Sequence, residues 1–173
     1  MSENEKNIIL IGLSGSGKTA FSKQIAEKFG MERVDMDNDI AERAGKSIAD
    51  IFAQDGETVF RDLETECAKR CGRMKNAVIS TGGGIILREE NMKALKENGT
   101  VIFLDRKPED IIGEDLSDRP LVADDQNKIY CQREERLPLY QKYADYTVHN
   151  CKEKADTIRL VFEAVDNILE KRD

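Results

Sequence analysis

The chain has 173 residues, of which 39% are hydrophobic and 35% charged, with a net charge of −7. That length can bury one proper core, and the acidic balance argues against a polynucleotide partner, which a basic patch or stripe would favour. No apolar run approaches the roughly 20 residues of a membrane span, and the opening MSENEKN lacks a signal peptide's apolar core, so a cytoplasmic protein without a membrane partner is expected.

In chain order, Ile8–Ile11 reads as a buried strand and Ala20–Phe29 as a helix. Phe21, Ile25 and Phe29 recur every four residues there, and Gly30 is the stop. A very short strand, Arg33–Asp35, is followed by a charged, largely helical stretch, 36–74, that looks like an insert. Ala77–Ser80 is a second buried strand, bounded by Gly82, Gly83 and Gly84. Glu89–Asn98 is a helix with Met92 and Leu95 inward and Gly99 as its cap. Val101–Leu104 is another strand. Residues 105–127 hold Pro108, Gly113 and Pro120 and show no period, which suggests a mobile lid. Tyr146–Val148 is the last strand, and Thr157–Lys171 a closing helix with Ile158, Val161, Phe162, Val165, Ile168 and Leu169 on one stripe.

Strands alternating with helices predict an α/β fold, a three-layer sandwich around a central five-stranded parallel sheet covered on both faces. Ligands then bind beyond the carboxyl ends of the strands. Four cysteines, Cys67, Cys71, Cys131 and Cys151, form no Cys-x-x-Cys pair and read as reduced thiols; Cys67 and Cys71 share a helix face. His149 is the only histidine, so no zinc ligand set is visible.

The stretch GLSGSGKT places Gly12, Ser14, Gly15, Ser16, Gly17, Lys18 and Thr19 between a strand and a helix. Glycines let backbone amides turn toward phosphate oxygens, and the helix beginning at Gly17 adds its positive dipole end. Lys18 would reach the β- and γ-phosphates, and the Thr19 hydroxyl would ligate Mg²⁺. After the second strand come Asp35 and Asp37. On an extended segment such a pair points one way; one carboxylate could order Mg²⁺ through water, and the other could orient a substrate hydroxyl or accept its proton. The Gly82–Gly84 run would let backbone approach a ligand closely. Arg61, Arg119, Arg133 and Arg136 are ordinary surface charges when taken singly.

Together these segments resemble the shikimate kinases, a compact family in the nucleoside-monophosphate-kinase-like branch of phosphate-loop kinases. The resemblance runs from about Ile8 to Val148. Its most specific stretch is VDMDNDIAERAGKSIADIFAQDGETVFRDLE, residues 34–64, followed in order by STGGG, RPL and the segment ending LY…AD. The resemblance implies one kinase domain, 1–173, with a substrate-binding insert at about 36–64 and a lid at about 106–125. It implies transfer of the γ-phosphoryl group of ATP to shikimate, in aromatic amino acid biosynthesis, with Mg²⁺ as cofactor and a monomer as the working form. Lys18, Asp37 and Arg119 would be catalytic. Asp37, Arg61, Gly82, Gly83, Gly84 and Arg136 would bind substrate, with Arg61 and Arg136 clamping its carboxylate. Thr19 and, through water, Asp35 would serve the metal. Ile48, Phe52 and Phe60 would wall the ring, and Glu64 would hold Arg61.

Two departures stand out. The lid looks about two residues shorter than in the family, and Ile112 lies where an adenine-holding arginine is usual, so weaker or less base-selective ATP binding is expected. The segment HNCKEKAD matches no adenine-loop pattern. Two other readings stay open on the sequence. One is a kinase for another hydroxylated acid such as gluconate; the other is a nucleotide-binding protein that has lost catalysis.

Overall fold

A computed structural model of the chain describes residues 5–113, 123–150 and 153–171. Five strands, β1 (Asn7–Ile11), β2 (Glu32–Asp35), β3 (Ala77–Ser80), β4 (Gly99–Asp105) and β5 (Tyr146–His149), form one sheet in the order β2-β3-β1-β4-β5. All four pairings are parallel. The helices are α1 (Lys18–Phe29), α2 (Met36–Ala44), α3 (Ile48–Asp55), α4 (Glu57–Gly72), α5 (Glu89–Lys96), α6 (Pro108–Ile112), α7 (Ala123–Tyr143) and α8 (Lys154–Glu170), with a single 3-10 turn at Ile85–Leu87.

Why β1 is apolar at nearly every position follows from where it lies. Successive side chains of a strand point to opposite faces, and β1 is central, with helices on both faces. Ile8 and Leu10 enter one core with Phe21, Ile25, Val161 and Val165, under α1 and α8. Ile9 and Ile11 enter the other with Met36, Ile51, Phe60, Ile85 and Tyr140, under α2–α7. All four are completely buried. Burying one such side chain is worth about 1.5–3 kcal/mol, so both faces contribute heavily.

The expected α/β class and its five parallel strands are observed. Gly99, expected as a helix cap, instead opens β4; α5 is capped by Glu97. A side chain at Gly99 would lie 2.6 Å from the Leu95 carbonyl oxygen and 2.8 Å from Ile9, so the glycine permits close approach to β1. Of the stretch 105–127, residues 108–112 are helical, 114–122 lie outside the described residues, and a helix runs from Ala123. Cys67 and Cys71 do share a face of α4, with sulfurs 4.0 Å apart, and Cys67 donates to Asp39 Oδ2 at 3.3 Å. Cys67, Cys71 and Cys131 are unbridged; Cys151 lies outside the described residues.

Candidate active site

Chain reversal beside β1, between β3 on one side and β4 on the other, opens a crevice at the carboxyl edge of the sheet. A cleft of about 1310 Å³ lies there, lined by Ser14, Gly15, Lys18, Thr19, Asp35, Asp37, Gly82 and Gly83, among others. That volume exceeds the roughly 300–1,000 Å³ typical of a single small-ligand site, leaving room for two substrates.

On the β1 side, the loop before α1 is fixed by its carbonyls. Lys18 Nζ donates to Gly12 O at 2.6 Å and Leu13 O at 2.9 Å. Arg106 donates to Gly15 O at 2.8 Å, and Asn150 Nδ2 to Ser16 O at 2.9 Å. With those oxygens engaged, backbone N–H groups and the α1 dipole are what the loop offers an anion. Gly17, the α1 N-cap, has φ 102°, a left-handed value costly for other residues. Gly12 and Ser16 are buried and shape the loop from beneath; a side chain at Gly12 would lie 2.8 Å from Ser16 Oγ. Burial pulls the Lys18 ammonium down to about 8, against the nearby Asp37 and Asp35 charges, which favour the proton.

Asp35 ends β2 and caps α2, accepting from the Asn38 N–H at 3.2 Å; Asp37 lies in the first turn of α2. The pair is therefore not on one extended segment, as spacing alone suggested, yet both side chains reach the cleft. Burial, and then the Asp35 charge, push the Asp37 carboxyl up, with Lys18 and Arg61 opposing. Two carboxylates beside a phosphate-type loop fit a cation, and Thr19 faces the same cleft. Among the described residues no group of three or more His, Cys, Asp or Glu side chains could cage a metal. Such a set suits Mg²⁺, which keeps much of its water and phosphate coordination.

Opposite this loop stands the glycine run. Each of its members abuts a different predicted site residue. A side chain at Gly82 would lie 3.0 Å from Asp37 Oδ1 and 3.2 Å from Glu64 Oε2. At Gly83 it would lie 3.3 Å from Ser14 Oγ and 3.4 Å from Arg136 Nη1, and at Gly84 it would collide with the Arg61 guanidinium. Arg61 Nη1 donates to Glu64 Oε1 at 3.0 Å and Nη2 to Glu57 at 3.4 Å, while its buried Nε has no protein partner. An unmet buried donor costs about 1–3 kcal/mol. Glu64 is almost wholly buried; burial pushes its carboxyl up and Arg61 counters this. Phe60 packs 5.2 Å beneath Arg61, and Phe52 lies 4.6 Å from Phe60.

Arg133 turns away from this cluster and pairs with Asp105 at 3.1 Å. Arg119, Glu114, Asp115 and Asp118 lie outside the described residues. Arg106, Asn150 and Lys154 are among the cleft residues that escaped sequence reasoning. Their only sequence signal was position, directly after β4 and β5 or at the start of α8. Ala155, Ile158, Phe21, Gln24 and Gly113 line the same cleft.

The shikimate kinase family profile matches residues 14–171. The shikimate kinase of Thermodesulfovibrio yellowstonii is 45% identical over 148 residues, covering 83% of this chain and 84% of that one. The Clostridium beijerinckii enzyme is 34% identical over 166 residues, covering 95% and 98%. Among solved structures, shikimate kinase from Acinetobacter baumannii in complex with shikimate superposes with a TM-score of 0.88 at 32% identity, covering 99% and 97%. A gluconokinase from Sinorhizobium meliloti shares the fold alone, with a TM-score of 0.62 at 14% identity, covering 98% and 96%.

Proposed function

The chain belongs to the shikimate kinase family, and we propose that its own residues carry the transfer of the γ-phosphoryl group of ATP to the 3-hydroxyl of shikimate. The observation that carries this reading is the glycine run. Its three members hold Asp37, Arg136 and Arg61 around one point, beside Ser14 of the phosphate loop.

In this reading Arg61 and Arg136 take the substrate carboxylate, since planar guanidinium groups bind carboxylates bidentately. The packing of Gly83 against Arg136 and of Gly84 against Arg61 supports that role. Asp37 accepts a hydrogen bond from the reacting hydroxyl, and its raised pKa suits it to take the proton as the bond to phosphorus forms. Lys18 and the loop amides neutralise charge on the transferring group, with Arg119 assigned a share. Thr19 and, through water, Asp35 would hold Mg²⁺, which would supply charge neutralisation on the phosphates when bound. The chain acts as one kinase domain, 1–173, a cytoplasmic monomer on small-molecule substrates; its helices include none, among the described residues, long and apolar enough to cross a membrane.

ADP release measured with ATP alone, with shikimate and with gluconate tests the reading. Strong stimulation by shikimate is expected. Nucleotide binding without stimulation would indicate a protein that has lost catalysis, and greater stimulation by gluconate would reassign the acceptor.

A further inference from the structure

Tyr140 has no place in the reaction as described, yet it touches two of its parts. It follows Arg136 by four residues on α7, so both side chains leave the same helix face. Its ring is 1% exposed and stacks on Phe103 of β4, with centroids 4.9 Å apart and planes at 17°. Its hydroxyl donates to the Gly83 carbonyl at 2.6 Å, short for any hydrogen bond of this type. The Arg136 guanidinium lies against the same glycine, its Nη1 3.4 Å from where a side chain at Gly83 would stand. Burial pushes the hydroxyl up to about 12, so it keeps its proton at any working pH.

The direction of this bond is thereby fixed: Tyr140 O–H to Gly83 carbonyl. Gly83 in turn sits between Arg136 Nη1 and Ser14 of the phosphate loop. Displacing Gly83 or Arg136 would alter the gap between the phosphate loop and the group that takes the substrate's carboxylate. Phosphoryl transfer is sensitive to such placement, because positioning supplies much of its rate.

We propose that the Tyr140 hydroxyl is a positioning group for the phosphoryl acceptor. It holds Gly83, the backbone that packs between Arg136 and Ser14, and so sets where the acceptor's carboxylate lies relative to the phosphate loop. This rests on the reading of Arg136 as a carboxylate clamp. A tyrosine that merely fills the core would cost stability when altered, and would not distinguish a charged ligand from a neutral one.

Tyr140→Phe removes only the hydroxyl. In the full chain, the shikimate KM is expected to rise about tenfold, the size of one lost hydrogen bond, with the ATP KM within about twofold of wild type. Binding of shikimate and of its neutral hydroxymethyl analogue, measured by calorimetry, separates the two roles. The loss should fall on the acid and largely spare the analogue. Equal losses on both ligands, or a lowered Tm with an unchanged shikimate KM, would overturn the proposal. If Tyr140→Phe does not fold, Phe103→Leu loosens the ring while keeping the hydroxyl; the same acid-selective loss is expected, and its absence sinks the idea. Wild-type enzyme without shikimate-dependent ADP release would remove the clamp reading and this inference together, whereas wild-type turnover with equal losses removes the inference alone.

Discussion

The acceptor side and the nucleotide side of the cleft are built differently. On the acceptor side, Arg61, Glu64, Arg136 and Tyr140 are interlocked with three successive glycines, and most of these groups are buried or nearly so. On the nucleotide side, the phosphate loop is equally tight, but the wall beyond it consists of Arg106, Asn150, Lys154 and Ala155, mostly partly or fully exposed. Selectivity follows burial, because a buried polar group left unpaired is costly while an exposed one falls back on water. The chain should therefore discriminate acceptors sharply and nucleobases poorly.

The largest expected effect lies where both sides meet. Lys18→Ala should lower kcat by about a thousandfold or more, since it removes charge preorganised for the transition state; single-turnover assays check it. Arg136→Ala tests the acceptor side, with a shikimate KM about 10- to 100-fold higher as a carboxylate loses a charged partner. An unchanged KM would break the clamp assignment. Gly84→Ala puts a methyl group against the Arg61 guanidinium, and should raise the shikimate KM by about tenfold, a cost of overpacking at the low end of 1–3 kcal/mol, leaving the ATP KM alone. The pH profile is gentler. Lys18 is charged below about 8 and neutral above it, so kcat/KM for ATP should fall as pH rises through that value. An unburied lysine would hold its charge to about 10.4, and a flat profile to pH 10 would show that Lys18 keeps its proton. Smallest is the base preference: with GTP and CTP in place of ATP, turnover should drop by less than about tenfold, as expected where an exposed wall supplies little discrimination. Strong ATP selectivity would break the comparison itself.

What could be read from sequence divides along the same line. The run at Ile8–Ile11 announced a central strand because both its faces are covered. The three glycines announced close approach because one would suffice for a turn. Gly99 was misread, since a glycine allowing contact with Ile9 looks in sequence like one ending a helix. α7 was obscured by its charge and by Pro138 within it. Arg106 and Asn150 hold the phosphate loop by single hydrogen bonds to carbonyls. Such bonds leave no periodicity and need no particular neighbour, so in a lone chain only their position directly after a strand marks them. Asp35 and Asp37 were located correctly at the strand end, but the immediate turn into α2 depends on the Asp35 cap, which two-residue spacing does not reveal.

The sheet also separates the two layers of helices that flank the cleft. Asp37, Arg61, the glycine run and Arg136 all hang from elements packed on one apolar core, whereas Phe21, Gln24, Ala155 and Ile158, which flank the nucleotide side, belong to the two helices over the other. Substitutions in the core under α1 and α8 are therefore expected to bear first on the phosphate donor, and those in the other core first on the acceptor. A lineage can drift toward a new phosphate donor, or an engineer can select for one, without reopening the question of which acid is phosphorylated.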